Sequence, residues 1–509
     1  MYKIFIDDHL YKKWHISPEM DLNLNLDLSP SFKKMFDKDR FIYNRNNNSI
    51  EIIESPIRNN KYIPGILDLS KTYGKDNKML YLCNPNDKHL PYFLIPYSIN
   101  PSFDKTKKHL YITFEFKNWN NVHPYGSITQ NIGCINIPEN FYEYMIYCKS
   151  LNVSIQPFTK RVIKELNKHK THTLCNIVTN KFNIEKRLDK VFTIDSLNSI
   201  DLDDGISIKD NVLSIYITHV PIIIDSLNLW DAFTERVSTI YLPDKKRSMI
   251  PLLLSQLCSL NEKEERICLI MDINIKEGKF MDNVLSIGKV KIHKNYEYEE
   301  EKLLLNKDYN RIKEICCLND SSINDSYEVI EYLMVYFNKE CAKIMNNGIY
   351  KSYIEKGQHP IEKYTYKTTK YTYEKTDYAQ FTSPIRRIVD LLNIINVTNI
   401  SIKLSNEADS FYNEWYSNID YINECMINIR KAQNKCKLLE TFNKYSHQVF
   451  KGIVIEQNDN KYNVYLPDLK INTTFTTDLY IGLLKEYLFK IYVFNNEGEL
   501  KKKIKLQLV

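Results

Sequence analysis

Thr193-Ile-Asp-Ser-Leu-Asn-Ser-Ile-Asp-Leu-Asp-Asp-Gly-Ile-Ser207 places four carboxylates, Asp195, Asp201, Asp203 and Asp204, within ten residues. They are interleaved with Ile194, Ile200, Leu202 and Ile206, and an ionised Asp is rarely buried without a partner. Two readings compete. A solvated acidic turn is the plain one. A hard-cation site is the sharper one, because carboxylate oxygens suit Mg²⁺, which keeps several waters and sits between protein carboxylates and substrate phosphate. The run that follows, Val212–Thr218, alternates in part as a strand does, which would set the acids on a rigid scaffold. If residues 201–204 are extended, Asp201 and Asp203 face one side and Asp204 the other. A bend or a strand end is then needed to converge them, and Gly205 permits a close backbone approach.

The order Thr-Ile-Asp, then Asp201, then Leu-Asp-Asp-Gly-Ile-Ser resembles the signature of the RNB exoribonucleases, the family of ribonuclease II and ribonuclease R. Two further blocks carry the resemblance. Ala379-Gln-Phe-Thr-Ser-Pro-Ile-Arg-Arg387 is similar to the family's Phe-Thr-Ser-Pro-Ile-Arg-Arg stretch. Tyr241-Leu-Pro-Asp, with Met249-Ile-Pro and Leu257-Cys-Ser-Leu-Asn261, resembles the segment between the other two. Within the family the likeness is to the eukaryotic exosome-type catalytic subunit, without its endonuclease domain.

The resemblance implies an α+β multidomain chain. Residues 1–55 would be a reduced N-terminal β region, a vestigial cold-shock domain. Residues 56–155, with short strands punctuated by Pro, Asn and Asp, would be a cold-shock-like OB barrel. Residues 156–445 would be the central α/β RNB catalytic domain, and residues 446–509 a C-terminal OB-fold RNA-binding barrel. Phe116-Lys-Asn-Trp119 and His123-Pro-Tyr-Gly126 resemble the second cold-shock domain of the exosome-type enzymes, and Pro157-Phe-Thr-Lys-Arg161 resembles their link into the catalytic domain. In that domain Tyr92, Tyr111 and Phe116 either fill the barrel or stack bases, and taken singly each is read as filling. Ser326–Asn347 is the best helix, with Ile330, Leu333, Met334, Phe337, Cys341 and Ile344 on one stripe, a cap at Asp325 or Ser326, and Gly348 as the stop. A second helical pattern covers 411–445. The Lys501-Lys-Lys-Ile-Lys505 run reads as a solvated edge strand as readily as an RNA contact.

At 509 residues the chain has room for three or four domains, and its formal net charge of +6 is compatible with a polyanionic partner. Eleven cysteines, an odd number without a Cys-x-x-Cys pair, point to reduced thiols and an intracellular, cytoplasmic location, with the nucleus left open. No stretch approaches a membrane span. No Walker loop and no His-Glu-x-x-His motif is present, so ATPase and metalloprotease readings find no support.

The implied activity is divalent-metal-dependent hydrolysis of single-stranded RNA, 3′ to 5′, to nucleoside 5′-monophosphates. Mg²⁺, or Mn²⁺ in its place, would be held by Asp195, Asp201, Asp203 and Asp204, with Asp203 the most directly catalytic. The RNA would meet Tyr241, Thr382, Ser383, Arg386 and Arg387, with Arg386 on the scissile phosphate and Tyr241 stacked on the adjoining base. Arg387 has a competing role as a salt bridge to Asp390. Pro384 disfavours the helical region at Ser383, so a helix is expected to open at Pro384 and offer its N-terminus to an anion. Two alternatives stand: a catalytically silent RNB protein that binds RNA or scaffolds a complex, and a cold-shock-like RNA chaperone. Exosome-like protein partners are left open. The family's usual Ile-Ala-Asp-Val is replaced by Ile217-Thr-His219-Val220, an aromatic by Ile388, and a frequent His by Ile394. A helical segment before the Ser-Pro-Ile-Arg block is also missing. In its place Tyr364-Thr-Tyr366 and Tyr371-Thr-Tyr373 predict a hairpin, core-packed or base-stacking.

Overall fold

The computed structural model describes residues 1–18, 29–44, 49–76, 78–99, 108–168, 171–345, 347–356, 359–366, 377–445, 448–495 and 501–509. It forms two compact units: Met1–Asn152, Leu242–Lys245 and Asn428–Val509 make the first, Val153–Tyr241 and Lys246–Ile427 the second.

In the first unit, an antiparallel sheet runs in the order Trp14–Pro18, Tyr2–Ile6, Arg40–Asn44, Ser49–Glu54. The short strands that follow close into a barrel, in the order Ile63–Asp76, Lys78–Pro85, Phe93–Tyr97, Tyr125–Cys134, Leu110–Asn118. Closure brings the strands close: a Cβ on Gly126 would lie 3.0 Å from the Glu115 carbonyl. The barrel aromatics are occupied internally. Tyr111 is fully buried, Phe116 lies edge-on to Phe36 and under the Arg58 guanidinium, and Tyr92 stacks on His9. Residues from 449 onward make a five-stranded sheet around Phe450, Val464, Phe475 and Phe489. Its last strand, Lys502–Leu508, is not merely a solvated edge. Lys502 Nζ donates to the Ile135 carbonyl at 3.0 Å and Lys501 Nζ to that of Asn86 at 3.4 Å.

The second unit is built on a mixed sheet in the order Glu185–Lys186, Lys279–Glu297, Val191–Asp195, Asp204–Lys209, Val212–Thr218, Glu265–Lys276, and the long strand Lys279–Glu297 also pairs with Glu265–Lys276. Val212–Thr218 is interior, buried along nearly its whole length rather than on alternate residues. The Ser326–Ile344 helix packs on this sheet through Val329, Ile330, Leu333, Phe337 and Cys341. Its start is a full capping box between Asp325 and Glu328. It ends three residues short of the expected end at Asn347, with Met345 as the cap, and Ile344 is exposed. The expected helix over 411–445 is two helices, Asn406–Ser417 and Ile419–Lys444. Among the described residues no helix is long and apolar enough to cross a membrane.

A hairpin that the sequence reading did not include precedes the Ser-Pro-Ile-Arg block. Tyr350–Lys356 pairs with His359–Thr365, so Tyr364 stands opposite Lys351. Tyr364 is buried, donating its hydroxyl to Gln380 Oε1 at 2.6 Å. Tyr366 is half-exposed against Tyr416. Tyr371 and Tyr373 lie outside the described residues.

Two of the departures from the family pattern have a packing reason. His219 is fully buried at the head of the Val220–Ser226 helix, where Nδ1 accepts from the Ile222 N–H and Nε2 meets Thr398 Oγ1 at 2.9 Å. The Thr398 hydroxyl in turn donates to the carbonyl of Ile394, itself a core residue. A neutral imidazole satisfies every partner, and burial pushes its pKa down to about 3. The unfolded imidazole takes a proton below about 6.5. Acid therefore favours the unfolded chain, and the stability His219 contributes is complete above that value and drains as pH falls toward the folded pKa. Urea denaturation should show wild type losing on the order of 2 kcal/mol more than His219→Gln between about pH 7 and 5. Equal losses would mean the buried ring is not the source.

Candidate active site

The acidic stretch lies where two neighbouring strands end. Val191–Asp195 finishes on Asp195, Asp204–Lys209 starts on Asp204, and the two run antiparallel with Phe192 opposite Ile206. The strands approach closely at Gly205, where a Cβ would lie 3.1 Å from Val191 Cγ1 and 3.2 Å from the Phe192 carbonyl. This is the strand end that convergence of the acids requires. The connecting loop is pinned from below by Ser259, whose Oγ accepts from Leu202 N at 3.1 Å and donates to the Ile200 carbonyl at 2.9 Å. Thr218 N donates to the Asp203 carbonyl at 2.8 Å, so the loop is also tied to the central strand.

Each carboxylate has its own environment. Asp201 receives Lys246 Nζ on both oxygens, at 3.0 and 2.9 Å, and Ser255 Oγ at 2.6 Å. Asp203 is 3% exposed. Its Oδ1 accepts the Ile385 N–H at 3.0 Å and its Oδ2 lies 3.5 Å from Arg386 Nε. Burial lifts its pKa to about 7, against the pull of the Arg386 charge. Asp204 is held well above the usual carboxylate range by burial and by the charges of Asp195 and Asp203. Burial also raises Asp195 to about 6, and its Oδ2 is a buried acceptor with no hydrogen-bond partner. Among the described residues, no three acidic, His or Cys side chains stand together as a ready-made metal cage.

The Ser-Pro-Ile-Arg block reaches this site from far along the chain. Ser238 Oγ and Thr239 N both donate to the Arg386 carbonyl, and Ile388 N donates to that of Val237. The block is a turn and not the expected first turn of a helix: Arg386 N and Arg387 N both donate to the Ser383 carbonyl, at 3.2 and 3.0 Å. The helix runs Ile388–Ser401, with Arg387 as its uncapped lead residue. Pro384 therefore lies outside it, and the Ile385 N–H that a helix would have aimed along its axis is spent on Asp203.

Arg386 is the cation at the acids. Its Nη2 donates to Ser383 Oγ at 3.0 Å, and its side chain remains 44% exposed. Burial disfavours its charge, but Asp203 and the neighbouring Tyr241 outweigh that. Tyr241 stands beside it, 46% exposed, on a short strand paired with Lys246. Arg387 is turned away: its Nη2 sits 2.7 Å from Asp390 Oδ1, the salt bridge that competed with a phosphate role. Asp390 Oδ1 also accepts the Ser383 N–H at 2.8 Å. Thr382 and Ser383 are buried, so Ser383 serves the turn and Arg386 more directly than it serves a ligand. The structure thus gathers Asp195, Asp201, Asp203, Asp204, Arg386 and Tyr241, and leaves Arg387, Thr382 and Ser383 as their support. It adds Lys246 and Ser255, whose only sequence signal was proximity to the Tyr241 block. It also adds Tyr298, whose amide donates to the Asp195 carbonyl and whose hydroxyl feels the Asp204 and Asp195 charges.

Residues 184–336 match the family model of the RNB domain. The chain carries an RNB domain. The matched span holds the four acids, Tyr241 and Lys246, and ends before the Ser-Pro-Ile-Arg block that completes the site. Mycoplasma genitalium RNase R, solved in complex with ribose-methylated single-stranded RNA, shares the fold over 94% of this chain and 95% of its own, with TM-score 0.68 and 15% identity. The same enzyme with double-stranded RNA aligns with TM-score 0.67 and 16% identity over 93% and 98% of the two chains. Yeast Ssd1, described as a pseudonuclease, aligns with TM-score 0.54 and 13% identity over 87% of this chain and 68% of that one. At these identities the likeness is one of fold: an RNB domain accompanied by OB domains. No curated protein matches the chain in sequence.

Proposed function

We propose that this RNB protein is a divalent-metal-dependent exoribonuclease that hydrolyses single-stranded RNA from the 3′ end to nucleoside 5′-monophosphates. The observation that carries the reading is the junction at Asp203, where one buried carboxylate joins the acidic strand end to the Ile385 amide and the Arg386 guanidinium. A permanent planar cation, part-exposed and aimed past an acidic cluster, suits a phosphodiester. The orphaned Oδ2 of Asp195 and the mutual repulsion of Asp195 and Asp204 fit a cation at that strand end. Mg²⁺ or Mn²⁺ there would neutralise phosphate charge and lower the pKa of an attacking water. The chain's own residues orient the substrate: Arg386 grips the phosphate, Tyr241 offers a ring face to the adjoining base, and Ser383 fixes the guanidinium plane. The eleven cysteines, all free thiols, support a reducing intracellular setting.

End-labelled single-stranded RNA incubated with Mg²⁺ should yield mononucleotides from the 3′ end, and chelation should stop it. The rival reading, an RNB protein that binds RNA without cutting it, has the likeness in fold to yeast Ssd1 in its favour. The presence of all four acids weighs against it. Intact RNA after long incubation with Mg²⁺ and with Mn²⁺ would decide for the rival. Under either reading binding should weaken with salt, with a log–log slope of about −0.7 per contacted phosphate. A flat salt dependence would remove RNA as the partner.

A further inference from the structure

The four acids are not equally available to a metal. Asp203 is committed to the Ile385 amide and faces Arg386. Asp201 is committed more fully still, with an ammonium on both oxygens and a serine hydroxyl on one of them. That pair is largely withdrawn from water, the Lys246 and Asp201 side chains being 22% and 8% exposed. Water does little to screen such a pair, and removing one partner leaves a costly lone charge. By contrast, no side-chain cation pairs with Asp195 or Asp204 among the described residues.

We propose that Lys246 is the resident counter-ion of Asp201, standing where a metal ion would otherwise sit on that carboxylate and anchoring the acidic loop through it. This leaves Asp195 and Asp204 to hold one divalent cation. The inference rests on the metal-dependent reading given above and narrows it, because Asp201 becomes a positioning residue. Two observations converge on it. The charges of Lys246 and Arg386 offset two of the four carboxylates, so a single divalent ion balances the remainder. The absence of a three-ligand cage among the described residues is also what this arrangement requires, since Mg²⁺ is commonly held by one or two carboxylates with waters and substrate phosphate completing the shell. Lys246 is held in place by the local chain, because its strand partner is Tyr241. The residue that neutralises Asp201 and the ring beside Arg386 therefore share one two-stranded ribbon.

The test is Mn²⁺ titration of the full chain without RNA, by calorimetry, with folding checked by thermal melting. Wild type should bind one Mn²⁺. Lys246→Met unmasks a carboxylate and should bind Mn²⁺ at least about tenfold more tightly, about 1.4 kcal/mol. Lys246→Arg should match wild type. The double variant Lys246→Met/Asp201→Asn removes the pair as a neutral unit and should return to within about threefold of wild type, under 1 kcal/mol. Two Mn²⁺ in wild type, or a Lys246→Met affinity no tighter than that of Lys246→Arg, would overturn the proposal while leaving metal dependence standing. If Lys246→Met fails to fold, the wild-type stoichiometry and the Lys246→Arg affinity decide. No Mn²⁺ on wild type would overturn the metal-dependent reading, and the counter-ion role with it.

Discussion

Asp203→Asn is expected to lower the rate of RNA hydrolysis by about a thousandfold or more, about 4 kcal/mol of barrier, while RNA affinity stays within a few-fold of wild type. The reason lies in what the amide keeps and what it loses. Its oxygen can still accept the Ile385 N–H, so the turn that presents Arg386 stays in place. Its nitrogen cannot stand 3.5 Å from a guanidinium as a carboxylate oxygen does, so the charge shared between the acids and Arg386 is lost. The fold should tolerate the exchange, because a buried charge disappears without opening a cavity. Single-turnover decay of end-labelled RNA, with affinity measured separately by anisotropy, checks it. Turnover within about tenfold of wild type, about 1.4 kcal/mol, would remove Asp203 from the chemistry.

Arg386→Lys should be nearly as damaging as Arg386→Ala, with turnover down by about a hundredfold or more in both, about 3 kcal/mol. Arg386 is already held within the protein, Nε toward Asp203, Nη2 on Ser383 Oγ, and the guanidinium against the Tyr241 hydroxyl. Those contacts fix the guanidinium plane and leave its exposed edge for the phosphate. An ammonium is a point donor, so it cannot keep these anchors and present a second edge. Comparing the two variants under single-turnover conditions at equal ionic strength separates geometry from field. Full activity in the Lys variant would mean that Arg386 supplies positive charge alone.

Much of the architecture was legible in the order of residues because the forces concerned are local. The helix start at Ser326 is written in Asp325, one of the two caps expected, whose side chain accepts the Glu328 N–H. The barrel strands announce themselves by short apolar runs between Pro, Asn and Asp. Gly205 could be assigned to a close backbone approach because no other residue lacks a Cβ. The acids too were readable, since four carboxylates among isoleucines and leucines call for a partner.

Elsewhere local logic pointed the wrong way. Pro384 predicts a helix start, yet the turn at Ser383–Arg387 is held by distant groups: the Asp203 carboxylate on the Ile385 amide, and the Val237–Thr239 backbone on either side. Contacts across some 180 residues outweighed the local preference. Tyr364 lies in a hairpin between residues 350 and 365 that local reading did not foresee, anchored by Asn423 and Gln380, while the Tyr371–Tyr373 run lies outside the described residues.

Sequence alone determined the chemistry available to this protein: which carboxylates and which arginine, in an order that matches an RNB domain. Tertiary structure alone decided their division of labour. In sequence Lys246 is only the middle of three successive cations, Lys245-Lys-Arg247, and folding brings it onto both oxygens of Asp201. Arg386 and Arg387 are adjacent and chemically identical, yet one faces the acids and the other is spent on Asp390. Electrostatic partnership depends on distance and burial, and both are set when remote segments pack.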